Sequence, residues 1–186
     1  MTIYFQNGPI AFREITEADL HLLTAMRNDF STWTQLGDPR ILKPGLQKRW
    51  LEGLNQSSDR FYFMAVPMAE ARFENAGAPV GLIRMDEYDL VNKSLRVGAD
   101  VVPSMRKRGY GAQIYAAMES YAFDWLGLHR IWLLVLDTNT PARKLYQSRG
   151  FKVEGKMRQA IFRAGAWRDY VMMSMLEPEY RARKQK

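Results

Sequence analysis

The sequence predicts a mixed α/β (α+β) fold on three observations. Segments of strand length and apolar character alternate with segments of helical period along most of the chain. One of them, with Leu95, Val97, Ala99 and Val101 alternating, runs through a cationic, glycine-bearing turn into a long amphipathic stretch. There Ile114, Met118, Tyr121, Ala122 and Trp125 share one helical face. Another, Arg130-Ile131-Trp132-Leu133-Leu134-Val135-Leu136, is continuously apolar, as a strand covered on both faces should be.

Taken in order, residues 3–15 read as an edge strand folded at the Asn7-Gly8-Pro9 turn. Thr16-Glu17-Ala18-Asp19 has the spacing of a capping box, with Asp in place of the usual Glu, so a helix starts there. Leu20, Leu23, Met26 and Phe30 form its apolar face, and it ends within residues 26–29. Gly37-Asp38-Pro39 breaks the chain, and a second helix is predicted over residues 44–54 with Leu46, Trp50, Leu51 and Leu54 inward. Strands follow at residues 61–66 and 79–85, separated by an excursion of weak structure over residues 67–78. Residues 86–94 turn into the strand at 95–102. After the apolar run at 130–136, Thr140 reads as an N-cap and Pro141 as the first helical position. A short helix over 142–149 then stops at Gly150, a residue suited to a left-handed cap. Phe151 begins an extended segment, and residues 155–176 read as two strands around Arg163-Ala164-Gly165-Ala166. No internal repeat, linker or low-complexity segment interrupts the chain. One domain over residues 1–186 is expected, with residues 179–186 a flexible basic tail.

Apolar residues at 47% and charged residues at 25% are ordinary globular values, which argues against extensive disorder. No apolar run approaches the ~18 residues of a membrane span, and the first residues lack a signal peptide's cationic-then-apolar plan. A cytoplasmic protein without membrane contact is expected. The chain has no cysteine, which excludes disulfides and thiolate metal sites. His21 and His129 lie far apart, so no metal is expected. The net charge of +7 suits an acidic ligand. Nucleic-acid binding is not expected, because the cations are scattered and only the run from Arg181 to Lys186 is dense.

The turn Val101-Val102-Pro103-Ser104-Met105-Arg106-Lys107-Arg108-Gly109-Tyr110-Gly111-Ala112 has the parts of a pyrophosphate site. Helix-start amides and the helix dipole favour an anion, and glycines let it approach the backbone. A Walker loop is ruled out, since Gly111 is followed by Ala112 and Gln113. A dinucleotide fingerprint would need glycine where Ile114 stands. Arg106-x-x-Gly109-x-Gly111 instead resembles the pyrophosphate loop of the GNAT N-acetyltransferase superfamily. Farther on, Asn139, Pro141-Ala142, Leu145-Tyr146 and Gly150-Phe151 resemble, in order and without a gap, that family's Asn-x-x-Ala-x-x-Leu-Tyr-x-x-x-Gly-Phe signature. The resemblance is specific over residues 82–176 and general before them.

The resemblance implies a mostly antiparallel twisted sheet with flanking helices. Its central strands, here at 95–102 and 130–136, splay apart to admit acetyl-coenzyme A. It implies acetyl-CoA as cosubstrate and no metal, with the acetyl group passing directly to a primary amine in a ternary complex. An acetyl-cysteine intermediate is excluded here. Val101, Val102, Arg106, Lys107, Arg108, Gly109, Tyr110, Gly111, Ala112, Asn139, Ala142, Arg143 and Tyr146 would hold the cofactor. Backbone groups of Val101 and the residues after it would bond the pantetheine as an added strand would. Asn139 would hold a pantetheine amide, and Tyr146 would protonate the leaving thiolate. Where relatives carry a basic carboxylate this chain has Leu134 or Ile161. Asp86, Glu87 and Asp100 remain as carboxylates, with a water relay as the other route for the proton, and no single base is assigned.

The resemblance also implies an acceptor pocket between the first two helices and the last strand pair. That points to Arg27, Asn28, Trp33 and Trp167, with Trp50, Phe63, Arg168 and Asp169 in the same region. Met26-Arg27-Asn28 and the helix from Gln47 to Leu51 resemble members that acetylate nucleotide-linked amino sugars. Gly155-x-x-Arg158 and Gly165-x-x-x-Asp169 resemble the ribosomal-protein N-terminal acetyltransferases. The expected partner is a small-molecule or peptide amine: a nucleotide-linked amino sugar or a protein or peptide N-terminus before a polyamine or aminoglycoside, which would want carboxylates. A non-catalytic acyl-CoA-binding domain is the alternative, favoured by the missing carboxylates and disfavoured by Tyr146. The partners expected are that amine and, in a homodimer, a second copy of the chain.

Overall fold

The computed structural model describes residues 2–38, 40–68 and 77–185; Pro39 and most of the excursion expected at 67–78 lie outside them. Strands β1 (Ile3–Asn7) and β2 (Ile10–Arg13) pair antiparallel about Gly8, whose φ of 58° a side chain would resist. The Thr16–Asp19 box forms: Thr16 N donates to Asp19 Oδ2 at 2.8 Å, and Asp19 also receives Arg13 at 2.6 Å. These bonds hold the Asp19 carboxyl below its ordinary range against the opposing effect of burial.

Helix α1 (Leu20–Asn28) buries Leu23 and Met26. Phe30, expected on the same face, instead begins a separate short helix α2 (Phe30–Trp33) and is 75% exposed. The physical reason is Asp29, whose Oδ1 accepts from Thr32 N at 3.1 Å and restarts the helix in a new direction. Helix α3 (Pro44–Asn55) buries Leu51 and Leu54, whereas Leu46 stays 44% exposed.

Strands β3 (Phe61–Pro67), β4 (Gly81–Asp89), β5 (Ser94–Val101), β6 (Arg130–Leu136), β7 (Lys152–Arg163) and β8 (Ala166–Leu176) complete an eight-stranded sheet among the described residues, ordered β1-β2-β3-β4-β5-β6-β8-β7. Every neighbouring pair is antiparallel except β5 and β6, which run parallel because helix α4 (Tyr110–Ser120) carries the chain back between them. This is the predicted class.

The sheet is covered on both faces. Ile114, Tyr115, Ala117 and Met118 of α4 join Ile83, Leu95, Val97, Ile131 and Leu133 in the larger core. Leu23, Met26, Leu51, Leu54 and Val102 form a second core under α1 and α3. Trp125, expected inward, is 74% exposed. Residues 121–125 open into a π turn, with Leu126 N donating to Tyr121 O at 3.0 Å; the extra residue per turn rotates Trp125 off the buried face.

The flexible basic tail expected at 179–186 is corrected by helix α6 (Glu177–Lys184). Tyr180 is 2% exposed, Arg181 and Lys184 pair with Asp124, and Arg183 pairs with the fully buried Glu119. Carboxylates waiting on the sheet's helical cover turn that charge run into a docked helix. No helix among the described residues is long and apolar enough to cross a membrane.

Candidate active site

The site begins with a gap in the middle of the sheet. β5 and β6 pair only from Ser94 to Arg96 against Arg130 to Trp132. Beyond that, β5 continues to Val101 paired with β4, and β6 continues to Leu136 paired with β8. Each strand keeps one neighbour and loses the other. The two facing edges leave backbone donors and acceptors open at the centre of a sheet, where an extended ligand can take the place of a strand.

Helix α4 starts at the far end of β5, with Gly109 at φ 87° as its cap residue and no capping side chain. Lys107, Arg108 and Gly109 are exposed beside its first turn, where the helix dipole favours an anion. Gln113 Oε1 on this turn, Asp137 Oδ1 after β6 and Arg143 Nε are buried without a hydrogen-bond partner. Orphaned polar atoms on the elements flanking the gap suit a polar chain such as the pantetheine and phosphates of acetyl-CoA. When bound, that cosubstrate supplies an acetyl thioester.

The cofactor residues expected from the sequence divide in the structure. Arg106 does not stand clear of the loop: its Nη1 donates to Ser31 Oγ at 2.6 Å, its Nη2 to Thr32 Oγ1, and its Nε to Val101 O at 3.3 Å. Val102 N donates to Val80 O at 2.9 Å and the Val102 side chain is in the second core. The carbonyl of Val101 and the amide of Val102 are therefore spoken for, and the unpaired edge of β5 lies on its β6 side. The Tyr110 side chain is 2% exposed in the larger core, so what it presents to the loop is backbone. A Cβ at Gly111 would stand 3.2 Å from Leu145, so this glycine lets α4 approach the helix that carries Leu145 rather than opening the loop to a phosphate. Ala112 is half-buried on the first turn of α4.

Helix α5 (Thr140–Ser148) starts one residue earlier than the sequence suggests. Asn139, not Thr140, is the cap: its Oδ1 accepts from Ala142 N at 3.2 Å, leaving the amide nitrogen Nδ2 to point elsewhere. Arg143 Nη1 donates to Asp137 O at 3.1 Å and braces the β6–α5 turn, while Ala142 packs on the core. Tyr146 lies one turn on, its ring 5.1 Å from Tyr115 and 5.9 Å from Phe151. Burial pushes the Tyr146 phenol above its ordinary value despite the lowering influence of Tyr115, and burial pushes Tyr115 higher still. Both are therefore protonated at neutral pH, the form in which a phenol can give a proton.

On the opposite face of the sheet, under α1 and α3, a cavity of about 440 Å³ is lined by Met26, Arg27, Gln35, Asp38, Gln47, Trp50, Tyr62, Leu82, Arg84, Arg96, Asp100, Leu134 and Tyr170, among others. Of the four acceptor residues expected, Arg27 alone lines it. Asn28 is consumed in a clamp, donating to Leu42 O and accepting from Leu42 N, both at 2.8 Å. Trp33 stacks near Phe30 at 5.7 Å, and Trp167 is 60% exposed at the β7–β8 tip against Phe162. Phe63 packs on the larger core, and Asp169 Oδ1 accepts from Gln159 N at 2.9 Å. Leu134 lines the cavity, whereas Ile161 is buried elsewhere on β7. Tyr62, Arg84, Arg96 and Tyr170 were missed. The available signal was the period-two alternation of β4 and β5, which sends Leu82, Arg84, Arg96 and Asp100 to one face.

The charged groups of the cavity are interlocked. Arg27 Nη2 donates to Asp38 O, and bonds from Arg40 hold the Asp38 carboxyl down to about 2. Burial lowers Arg27, whereas the Asp100 charge 3.2 Å from Arg84 raises Arg84 above its ordinary value. Of the remaining carboxylates, Asp86 accepts from the Tyr62 hydroxyl and Glu87 pairs with Arg96 at 3.0 Å. Both line a smaller neighbouring cavity.

An opening through the sheet, with phenols on one face and a polar cavity on the other, is the arrangement of a direct group-transfer enzyme. Residues 10–152 match the sequence profile described as an acetyltransferase (GNAT) domain, so the chain belongs to the GNAT superfamily and is an acetyl-CoA-dependent N-acetyltransferase. It is 24% identical over 177 residues to a spermidine N(1)-acetyltransferase of Vibrio cholerae, covering 94% of this chain and 96% of that one. It is 27% identical over 108 residues to the putative ribosomal N-acetyltransferase YdaF of Bacillus subtilis, covering 58% and 59%. The crystal structure of the Vibrio cholerae spermidine N-acetyltransferase in complex with CoA and spermine superposes with a TM-score of 0.83 at 20% identity, covering 94% and 99%. A GCN5-related N-acetyltransferase from Brucella melitensis superposes with 0.78 at 23% identity, covering 99% and 82%. At these identities the structures speak for the fold.

Proposed function

We propose that the chain acetylates a primary amine carried on an oxygen-rich, neutral or anionic body: a nucleotide-linked amino sugar or a protein or peptide N-terminus. One observation carries this reading. Arg27 Nη1 and Arg84 Nε are buried donors without a partner, and both residues line the acceptor cavity. A buried polar group left unpaired costs about 1–3 kcal/mol, and phosphate, hydroxyl or carbonyl oxygens of a ligand would relieve it. Arg27, Arg84 and Arg96 outnumber Asp38 and Asp100 there. A polyamine would add cations to a cavity already in cationic excess.

A polyamine acceptor is the second reading, and the names of the relatives favour it over the sugar or peptide. Thiol release from acetyl-CoA, measured with UDP-glucosamine, an alanine-initiated peptide, spermidine and kanamycin, separates them. UDP-glucosamine or the peptide is expected to give the highest kcat/KM. With the diphosphate, KM should rise with ionic strength; with the peptide it should not. Spermidine as the best substrate would establish the second reading and refute the charge argument.

The cofactor loop has its own test. Acetyl-CoA should raise the melting temperature, because a ligand that binds the native state alone stabilises it by RT ln(1 + [L]/Kd). Gly109→Val forces a branched side chain into φ 87° and should abolish that rise. An undiminished rise would take the loop out of the cofactor site.

A further inference from the structure

We propose that Asp100 receives the acceptor's amino group, and that Arg84, lying across Gly98, is the positioning residue that aims the Asp100 carboxylate at it. The inference rests on the acetyl-transfer reading above and assigns the nitrogen's place within it. Of the carboxylates Asp86, Glu87 and Asp100, Asp100 alone lines the larger cavity. The other carboxylate there, Asp38, is already engaged by Arg40 and Arg27. Asp100 sits past Arg96, on the part of β5 that has lost β6, so its carboxylate is at the opening itself.

The pair is built rather than incidental. In the β4–β5 register Arg84 stands opposite Gly98, and Leu82 opposite Asp100. To reach Asp100 the guanidinium crosses the Gly98 backbone, where a Cβ would stand 3.2 Å from Nη2 and 3.3 Å from Cζ. A Cβ at 98 would make the Arg84 guanidinium give way by a few tenths of an ångström. Arg84 Nη2 stands 3.2 Å from Asp100 Oδ2, an ion pair that holds the carboxylate at the cavity wall. Asp100 and Arg84 also act in opposite senses on the Tyr115 and Tyr146 phenols, which sets the pair within electrostatic reach of them.

An acceptor arrives as an ammonium and hydrogen-bonds Asp100. It gives one proton to water, and its lone pair then forms the N–C bond to the thioester carbon while the C–S bond breaks and its electron pair leaves on sulfur. The second nitrogen proton ends on that sulfur by way of Tyr146. Asp100 is not consumed; it orients the nitrogen and offsets its charge.

The test compares an amine that is protonated at neutral pH with one that is not. The probes are the fastest substrate among UDP-glucosamine, the alanine-initiated peptide, spermidine and kanamycin, and hydroxylamine, whose nitrogen is unprotonated there. Asp100→Asn should lower kcat/KM for the protonated amine by about 10- to 100-fold, the worth of a hydrogen bond to a charged group. It should lower hydroxylamine turnover by a clearly smaller factor and leave the acetyl-CoA melting shift close to wild type. Gly98→Ala should act in the same sense with a smaller loss. Equal losses for both amines, or no loss for the protonated one, would overturn the proposal. Which panel member is fastest bears on the acceptor reading alone; the ratio between the two probes bears on Asp100 alone.

Discussion

Tyr146→Phe is expected to lower turnover by about 10²- to 10⁴-fold, the usual worth of a positioned acid–base group. The substitution removes a hydroxyl and little volume. The ring's contacts with Tyr115 and Phe151 remain, so the fold and the acetyl-CoA melting shift should survive. The loss should fall on kcat and kcat/KM together, because an acid for the leaving thiolate acts in the transition state and not on bound substrate. Since burial pushes this phenol up, the acid form persists through the ordinary tyrosine range. Wild-type activity should therefore show no descending limb there that the Phe variant lacks. A rate unchanged in Tyr146→Phe would mean that the thiolate leaves unaided or takes its proton from water.

Glu119→Ala is expected to be the most damaging single change to stability. Glu119 is fully buried, receives Arg149 Nε at 2.9 Å and Nη2 at 2.5 Å, and is also bonded by Arg183. Its removal takes the carboxylate from two guanidinium groups whose side chains are only 23% and 30% exposed, and breaking a buried ion pair from one side costs up to about 3–5 kcal/mol. For a chain of this length that is a melting-temperature drop of roughly 6–20 °C. Arg183→Ala should lose less, because Arg149 still serves the carboxylate. A drop in Glu119→Ala of no more than about 2 °C would show that α6 is not anchored there, and that the C-terminal charge run contributes little.

Much of the fold was legible because its signals are local. Period-two alternation marked β5, the continuous run marked β6, and the Thr16–Asp19 box marked the first helix start. Family membership was legible for a related reason: the loop at 106–111 and the segment at 139–151 are contiguous pieces of chain, and their residue spacing survives without knowledge of what they pack against. Caps were legible only to within a residue, since Asn139 and Thr140 both suit an N-cap and the backbone chose Asn139.

What the sequence determined by itself was the mixed α/β class, the order of its strands and principal helices, and the superfamily. The tertiary structure alone decided which polar and charged groups work where. Arg106 turned to Ser31 and Thr32, Asn28 closed on Leu42, and Arg183 reached Glu119, each across a long stretch of chain. The cavity under α1 and α3 likewise draws on β4, β5, β6 and β8. Periodicity says which face of an element is polar, but a polar side chain is satisfied by whatever partner the packing of distant segments brings within about 3 Å. That partner is not written in the neighbouring residues.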